Sequence, residues 1–408
     1  MLRAGALYFA IVIAFFIAVV SASLIMLAAH YRNSYLKVVR YQRLVDNLES
    51  GMVYVLKENQ KNGIEKLDLY GFGTDSISIN RDFWGIYELV EMRAFIERDT
   101  IESKFLLGKL PDSITLYLSD EDRPLSISGG TRITGNIMMP KSGLRQAYAE
   151  GKPYTGDRLV YEGKIKDSKR ELSGLDEEVL SSLRYNLEHI EARKVDLVQN
   201  MQLPFGGAPR QLYLGKDARL DNVSLSGKIV LTSDSLITIG SNAKLSNVQV
   251  YAPKIKVEKG FKGRCQLFAS DSLLVSEKVA FDYPSVIGLI RTSNSVNQPQ
   301  LLLGKGSSFA GTIFSFEKER TSMQTMVSLE QDVKVKGEVF CAGLLKLEKG
   351  IVVNGKVSCN RFIMQTAQTL YENFLIDVAF NGKARSKYYL TSPLFGKEKE
   401  NKVLQWLD

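Results

Sequence analysis

Histidine and cysteine are the side chains of this 408-residue chain best suited to holding a metal or attacking a substrate, and it has two of the first and three of the second. His30 and His189 stand far apart, and neither has a cysteine or carboxylate partner at the spacing of a ligand set. A zinc centre, or a thiol activated by imidazole, is therefore not expected. Cys341 and Cys359 fall 18 residues apart, at equivalent places in a sequence repeat; Cys265 stands alone. If each repeat stacks on the last, the two Cα atoms come within disulfide range at the ~4.8 Å strand spacing, but stacked side chains run parallel. A buried ladder of thiols is the expectation, with a Cys341–Cys359 bond as the alternative.

Other chemistries are no better supplied. There is no phosphate loop. A polysaccharide lyase needs clustered Asp, Lys and Arg on one outer face to hold calcium and abstract a proton. The positions expected to face outward are instead mixed Ser, Lys, Asn, Glu and Gln, with no carboxylate pair at a recurring offset. The formal charge of +8 raises nucleic acid as a partner. Yet lysines alternate with glutamates, as in Lys256 Val257 Glu258 Lys259 and Glu348 Lys349, which is the pattern of a solvated face. The chain reads as non-enzymatic, with no catalytic residue, metal, cofactor, small-molecule substrate or nucleic acid expected.

What recurs is structural. The phrase apolar, x, Gly, x, Ile or Val appears around Gly135, Gly311, Gly337 and Gly355, at Ile133/Ile137, Phe309/Ile313, Val335/Val339 and Val353/Val357. Each copy begins eight residues after an apolar pair spaced by two: Leu125/Ile127, Leu301/Leu303, Val327/Leu329 and Leu345/Leu347. Degenerate copies start at Leu212, Ile237, Ile255 and Leu273. The starts 212, 237, 255, 273, 301, 327 and 345 are spaced 25, 18, 18, 28, 26 and 18 residues. Eighteen residues of alternating character cannot hold a βαβ crossover of about a dozen residues with its strands. They fit a coil of a β-solenoid, with the longer spacings carrying loops and each glycine marking a corner. An antiparallel sandwich is the competing architecture, but hairpins give no reason for a constant offset.

These coils need ends and a foundation. Residues 65–124 read as antiparallel strands, including Ser76 to Ile79, Phe83 to Val90 and Ser113 to Leu118. After a first coil at 125–140, an insertion at 141–208 holds Leu180, Leu183, Leu187 and Ile190 at helical spacing, a surface helix covering something apolar. The main solenoid spans 209–361. A tail at 362–408 loses the repeat; Thr366 to Phe380 is expected to start as a helix and Lys387 to Leu394 to form a strand, together a cap against strand addition.

The amino-terminal end is of another kind. After a short leader at 1–5, the segment 6–29 carries no charge and is Leu, Ile, Phe, Val and Ala throughout. At 1.5 Å per residue, its roughly 24 residues span about 36 Å, enough to cross a bilayer with some tilt. The run exceeds the apolar core of a cleaved signal, and Tyr31 and Arg32 follow in place of a cleavage site. Across 30–64, Leu36, Val39, Leu44, Leu48, Val53 and Leu56 continue an amphipathic helix into water. Arg3 and the amino terminus oppose Arg32, Lys37, Arg40 and Arg43, and a positive-inside count alone places the bulk of the chain in the cytoplasm.

Arg3, Gly5, an apolar helix, its amphipathic continuation and a β-rich remainder resemble a type IV pilin or a type II secretion minor pseudopilin. The resemblance covers about the first fifty residues. It implies cleavage by a prepilin peptidase after Gly5, making Ala6 the first mature residue, an inner-membrane anchor, a periplasmic body and pilin-like partners. Main-shaft pilins carry Glu at the fifth mature position; here it is Ala10, as in minor pseudopilins at the tip. The repeats at roughly 212–360 resemble bactofilins, which implies the alternative of a cytoplasmic, membrane-associated scaffold. A solenoid that binds or cleaves carbohydrate is a second alternative. Asp-Ser or Asp-Thr before an apolar residue, as at Asp75 Ser76 Ile77 and Asp271 Ser272 Leu273, also resembles the O-glycosylation acceptor of exported bacterial proteins.

Overall fold

The computed structural model describes residues 4–57, 63–71, 73, 75–189, 198–292, 297–365, 369–396 and 400–407. The chain is mainly β, with one long amino-terminal helix, and forms two compact units: Met1–Arg81 with Val90–Ser103, and Asp82–Leu89 with Lys104–Asp408.

In the first unit, α1 (Ala4–Lys57) is continuous. Its charged second half turns an apolar stripe onto antiparallel strands: Leu44, 2% exposed, packs with Ala94 and Ile96, flanked by Leu48 and Ile101. Gly51 sets the closeness of that approach, because a Cβ there would lie 2.2 Å from Ile77 Cδ1. Gly63–Leu67 pairs antiparallel with the strand Asp75–Trp84, Leu67 opposite Ile77 and Gly63 opposite Arg81. Arg40 fixes the far edge with ion pairs to Glu97 at 3.0 Å and Asp99 at 3.3 Å. These pairs are partly exposed and orient more than they stabilise.

In the second unit, parallel strands close on themselves as a barrel-like sheet. Pairing joins each strand to the next copy of the repeat. Ile237, Ile255, Leu273, Leu301, Val327, Leu345 and Phe362 are consecutive partners in one column, all buried. A second column runs Phe281, Phe309, Val335, Val353, Phe380 and Ile133. Burying each such side chain contributes about 1.5–3 kcal/mol over leaving it in water.

A third column shows how the chain is threaded. It runs Leu212, Leu231, Val250, Leu267, Ile287, Ile313, Val339 and Val357, and then continues to Leu116 and Ile137. The sequence-early strands Ile114–Leu118 and Asn136–Met139 thus extend the sheet beyond its last repeat, Val352–Gln365. Ile114–Leu118 is therefore a parallel strand of the closed sheet and not part of an antiparallel region.

Three further local expectations are corrected. Leu212 pairs with Leu231, while Ala218 and Leu220 pair with Ile237 and Ile239, so the copy starting at Leu212 is out of register with the others. Instead of a helix within 366–380, the residues described there form the strands Leu370–Glu372, Phe374–Ile376 and Ala379–Asn381; the last two extend parallel ladders, and that pairing overrides local helical spacing. Lys387 to Leu394 is no strand: Thr391 makes a single bridge to Lys109, and Pro393–Phe395 is a 3-10 turn.

The insertion carries α2 (Glu177–Glu188), started by Asp176, whose Oδ1 accepts from the backbone N–H of Glu178 at 3.0 Å and Val179 at 3.2 Å. Val179, Leu180, Leu183 and Leu187 bury against the outside of the sheet, while Ile190 lies outside the described residues. That outer face is an aromatic stripe: Tyr251, Phe268, Gly288, Phe314 and Phe340 are consecutive partners. Trp84, Ile86 and Tyr87 from the hairpin tip share this second core.

Candidate functional site

Gly5 and Ala6 lie in the opening turns of α1, and a Cβ on Gly5 would meet nothing within 4 Å. The helix is long and apolar enough to cross a membrane, and its apolar window is entirely unburied within the chain; Leu7, Phe15, Phe16 and Met26 all face outward. Ala10 occupies the fifth position after Gly5 on the same bare stretch.

Gly311, Gly337 and Gly355 are stacked partners. A Cβ on each would stand 1.9 Å from Ser285 O, 2.0 Å from Gly311 O and 1.8 Å from Gly337 O respectively, so the backbone of each neighbouring strand fills the place of a side chain. Gly337 also holds φ at +142°, a conformation open to glycine. Extending the register Val353–Phe380–Ile133 by two residues continues this column to Gly382 and Gly135, where either Cβ would collide with Thr115 Oγ1.

This glycine column floors a cleft. A hollow of about 460 Å³ opens over Gly337 between Tyr283, Lys336, Asn354 and the segment 384–389. A neighbouring hollow of about 400 Å³ lies over Gly135 and Gly382 and shares Arg385, Ser386 and Tyr389 with the first. Tyr283 secures the covering segment: its Oη donates to Leu390 O and accepts from Leu390 N, each at 3.0 Å, and its ring lies 5.4 Å from that of Tyr389. Arg385 Nη2 donates to the Asp112 carbonyl, and Ala384 N donates to Asn381 Oδ1 at 3.0 Å.

Beneath the cleft lies a polar pocket of the core. Tyr87 Oη, Tyr389 Oη and Thr312 Oγ1 are buried together, with Thr312 as the polar neighbour of both phenols. Glu338, 5% exposed, accepts from Thr391 Oγ1. Burial, reinforced by the charge of Glu338, pushes the hydroxyls of Tyr87, Tyr283 and Tyr389 above the ordinary tyrosine range, so all three remain neutral donors.

The cysteines and histidines sit elsewhere. Cys341 is the register partner of Cys359, and both, with Cys265, are buried free thiols. Burial pushes the Cys341 thiol up to about 12, with the charge of Glu317 adding to it, and also raises Cys359 well above the ordinary thiol range. Cys265 is raised by burial alone. His189 ends α2 with its ring stacked 4.4 Å from that of Tyr185, and His30 lies on α1. Among the described residues, no group of three His, Cys, Asp or Glu is placed to hold a metal ion.

Sequence reasoning located the glycines but not the cleft above them. The missed signal was the run Lys383 Ala384 Arg385 Ser386 Lys387 Tyr388 Tyr389, basic and aromatic without an acid, in a tail read only as a cap. The outer aromatic stripe was also announced, by the unbroken apolar doublets Val250 Tyr251, Leu267 Phe268, Ile313 Phe314 and Val339 Phe340, which mark strands covered on both faces.

No family model matches the chain, and no curated protein matches it. Among solved structures, the competence-associated pilin ComZ from Thermus thermophilus is similar over 86% of this chain and 87% of its own, at 11% identity and a TM-score of 0.23. A score that low does not establish a common fold.

Proposed function

We propose that this chain is a membrane-anchored, non-enzymatic structural subunit of the pilin or minor-pseudopilin kind, held in the inner membrane by α1 with its remainder in the periplasm. The observation that carries this reading is the division of α1. Its first half is uncharged, of bilayer length and bare of protein contacts, while its second half is built into the core of a small antiparallel sheet through Leu44 and Gly51. A cleaved signal has no reason to be continuous with a helix so packed. Gly5 is then the cleavage point and Ala6 the new amino terminus. With Ala10 where main-shaft pilins carry Glu, a place at a pilus or pseudopilus tip is favoured, with membrane lipid and other pilin-like subunits as partners.

The closed parallel sheet serves in this reading as a solenoid of wound coils, a rigid platform. A bactofilin-like scaffold polymerising through bare repeat edges is the weaker alternative, because the edge of Val357 to Cys359 is already taken by Leu116 to Leu118. A fusion of alkaline phosphatase after Asp408 tests the topology: enzyme activity in a Gram-negative host places the body in the periplasm, and an inactive, stable fusion overturns the proposal. Co-expression with a prepilin peptidase is expected to shorten the chain, and Gly5→Ala to abolish that shortening.

A further inference from the structure

The cleft over the glycine column has a chemistry that a structural role does not require. Among the described residues, those lining its two hollows include Lys336, Lys383, Arg385 and Lys387, and no aspartate or glutamate. Elsewhere in the repeats lysine is interspersed with glutamate; here the neighbouring acid, Asp112, has its carboxylate paired with Lys356 at 2.7 Å. Lys336 and Lys383 are exposed, and neither forms an ion pair among the described residues. Lys387 Nζ lies 5.0 Å from the centre of the Tyr388 ring, and Tyr388 is 77% exposed at the rim.

We propose that this cleft binds an acidic glycan, with the rings of Tyr388 and Tyr283 taking the apolar faces of sugar rings and the cations meeting their carboxylates. The reading goes beyond that of an anchored subunit and concerns what the subunit holds. Each hollow lies within the range of roughly 300–1,000 Å³ that small-ligand sites occupy. The glycine floor keeps it open, since a methyl on Gly337 would also stand 3.0 Å from Tyr389 Cε2. Asn354 and Ser386 line the first hollow and add neutral polar groups suited to sugar hydroxyls; Ser386 Oγ accepts from Tyr388 N at 3.2 Å and keeps its own proton to donate. A glycosidase of the usual kind needs two carboxyl groups flanking the bond, so this lining is not that of a two-carboxylate hydrolase. A nucleic acid strand is the competing occupant, since bases also stack on tyrosine. The alternation of lysine with glutamate outside the cleft gives such a strand no basic track to follow, and the amide and hydroxyl groups fit a sugar.

The test is calorimetric titration of the full-length chain in detergent micelles with an alginate hexasaccharide, with maltohexaose as an uncharged chain of equal length, and with a thymidine hexanucleotide. The alginate is expected to bind at least about tenfold more tightly than maltohexaose, a difference of about 1.4 kcal/mol. Lys336→Gln with Lys383→Gln weakens it by a similar factor; both side chains are exposed, so folding is not at stake. Tyr388→Ala does the same, and Tyr388→Phe stays within about twofold, which separates ring stacking from charge alone. Absence of alginate binding, equal affinity for maltohexaose, indifference to the substitutions, or tighter binding of the hexanucleotide would each overturn the assignment.

Discussion

Gly337 sits one strand spacing from Gly311, so close that a methyl on Gly337 would stand 2.0 Å from the Gly311 carbonyl oxygen. The obstacle is backbone, which cannot swing aside as the end of a side chain can. Gly337→Ala combines this overlap with a strained φ and should destabilise the fold by about 3 kcal/mol. Gly306→Ala is the matched comparison: φ is +66°, but nothing lies within 4 Å. It should cost only about 1 kcal/mol. Equal urea midpoints for the two variants would show that the column is looser than described.

The buried thiols make stability depend on pH on the alkaline side. Cys341 titrates at about 12 when folded, against about 8.5 in an open chain. The unfolded state therefore loses its proton first, and the contribution is complete below about pH 8.5 and lost progressively as pH rises toward 12. At pH 9.5 the loss is about 1.4 kcal/mol for this thiol. Urea midpoints measured between pH 7 and 10 should fall, and a maleimide should label none of the three cysteines until the chain is unfolded. Rapid labelling of the native protein would contradict their burial.

Arg291 and Glu317 form an ion pair with only 8% and 4% of their side chains exposed, and Arg291 Nη1 also donates to Thr321 Oγ1 at 2.8 Å and Met323 O at 2.9 Å. Glu317→Gln removes the carboxylate facing a buried guanidinium and should destabilise by about 3 kcal/mol. Replacing both residues together by Met should recover most of that loss, because paired burial of charge gives little net stability. A double variant as unstable as the single one would show that Arg291 acts chiefly by holding the carbonyl of Met323.

Gly288 is covered by rings. A Cβ there would lie 2.4 Å from Phe314 Cε1 and 3.1 Å from Phe268 Cδ1. Gly288→Ala should destabilise by about 2 kcal/mol, as overpacking does in a filled core. Adding Phe314→Leu to Gly288→Ala should be less harmful than the sum of the two changes, a coupling read directly from a double-mutant cycle.

The repeat was legible in the sequence where both members of its apolar pair are large. Ile237, Ile255, Leu273, Leu301, Val327 and Leu345 are spaced in the sequence as they are paired in the sheet. It misled at Leu212/Leu214, because the true partner of Ile237 is Ala218, too small to announce itself, while the two leucines fit the pattern by chance of composition. Helix α2 was visible because its apolar stripe is a local property of the sequence. The place of Ile114–Leu118 was not, since nothing in a strand of Ile, Leu and Tyr names a partner far along the chain. The cleft stayed hidden for the same reason: Lys336 and Arg385 each look like an ordinary solvated cation until the fold brings them to one hollow.

The junction of Leu116 with Val357 sets an order on biosynthesis. Repeats from Leu212 onward can zip to their neighbours as soon as each leaves the ribosome, because every partner is the next stretch to emerge. The strand around Leu116 can pair early with Asn136–Met139, but its other edge is met only when Val357 appears, about 240 residues later. Until then one edge of this early pair stays open, and closing so long a loop is slow. Loss of the strand around Val357 therefore uncovers an edge made long before it.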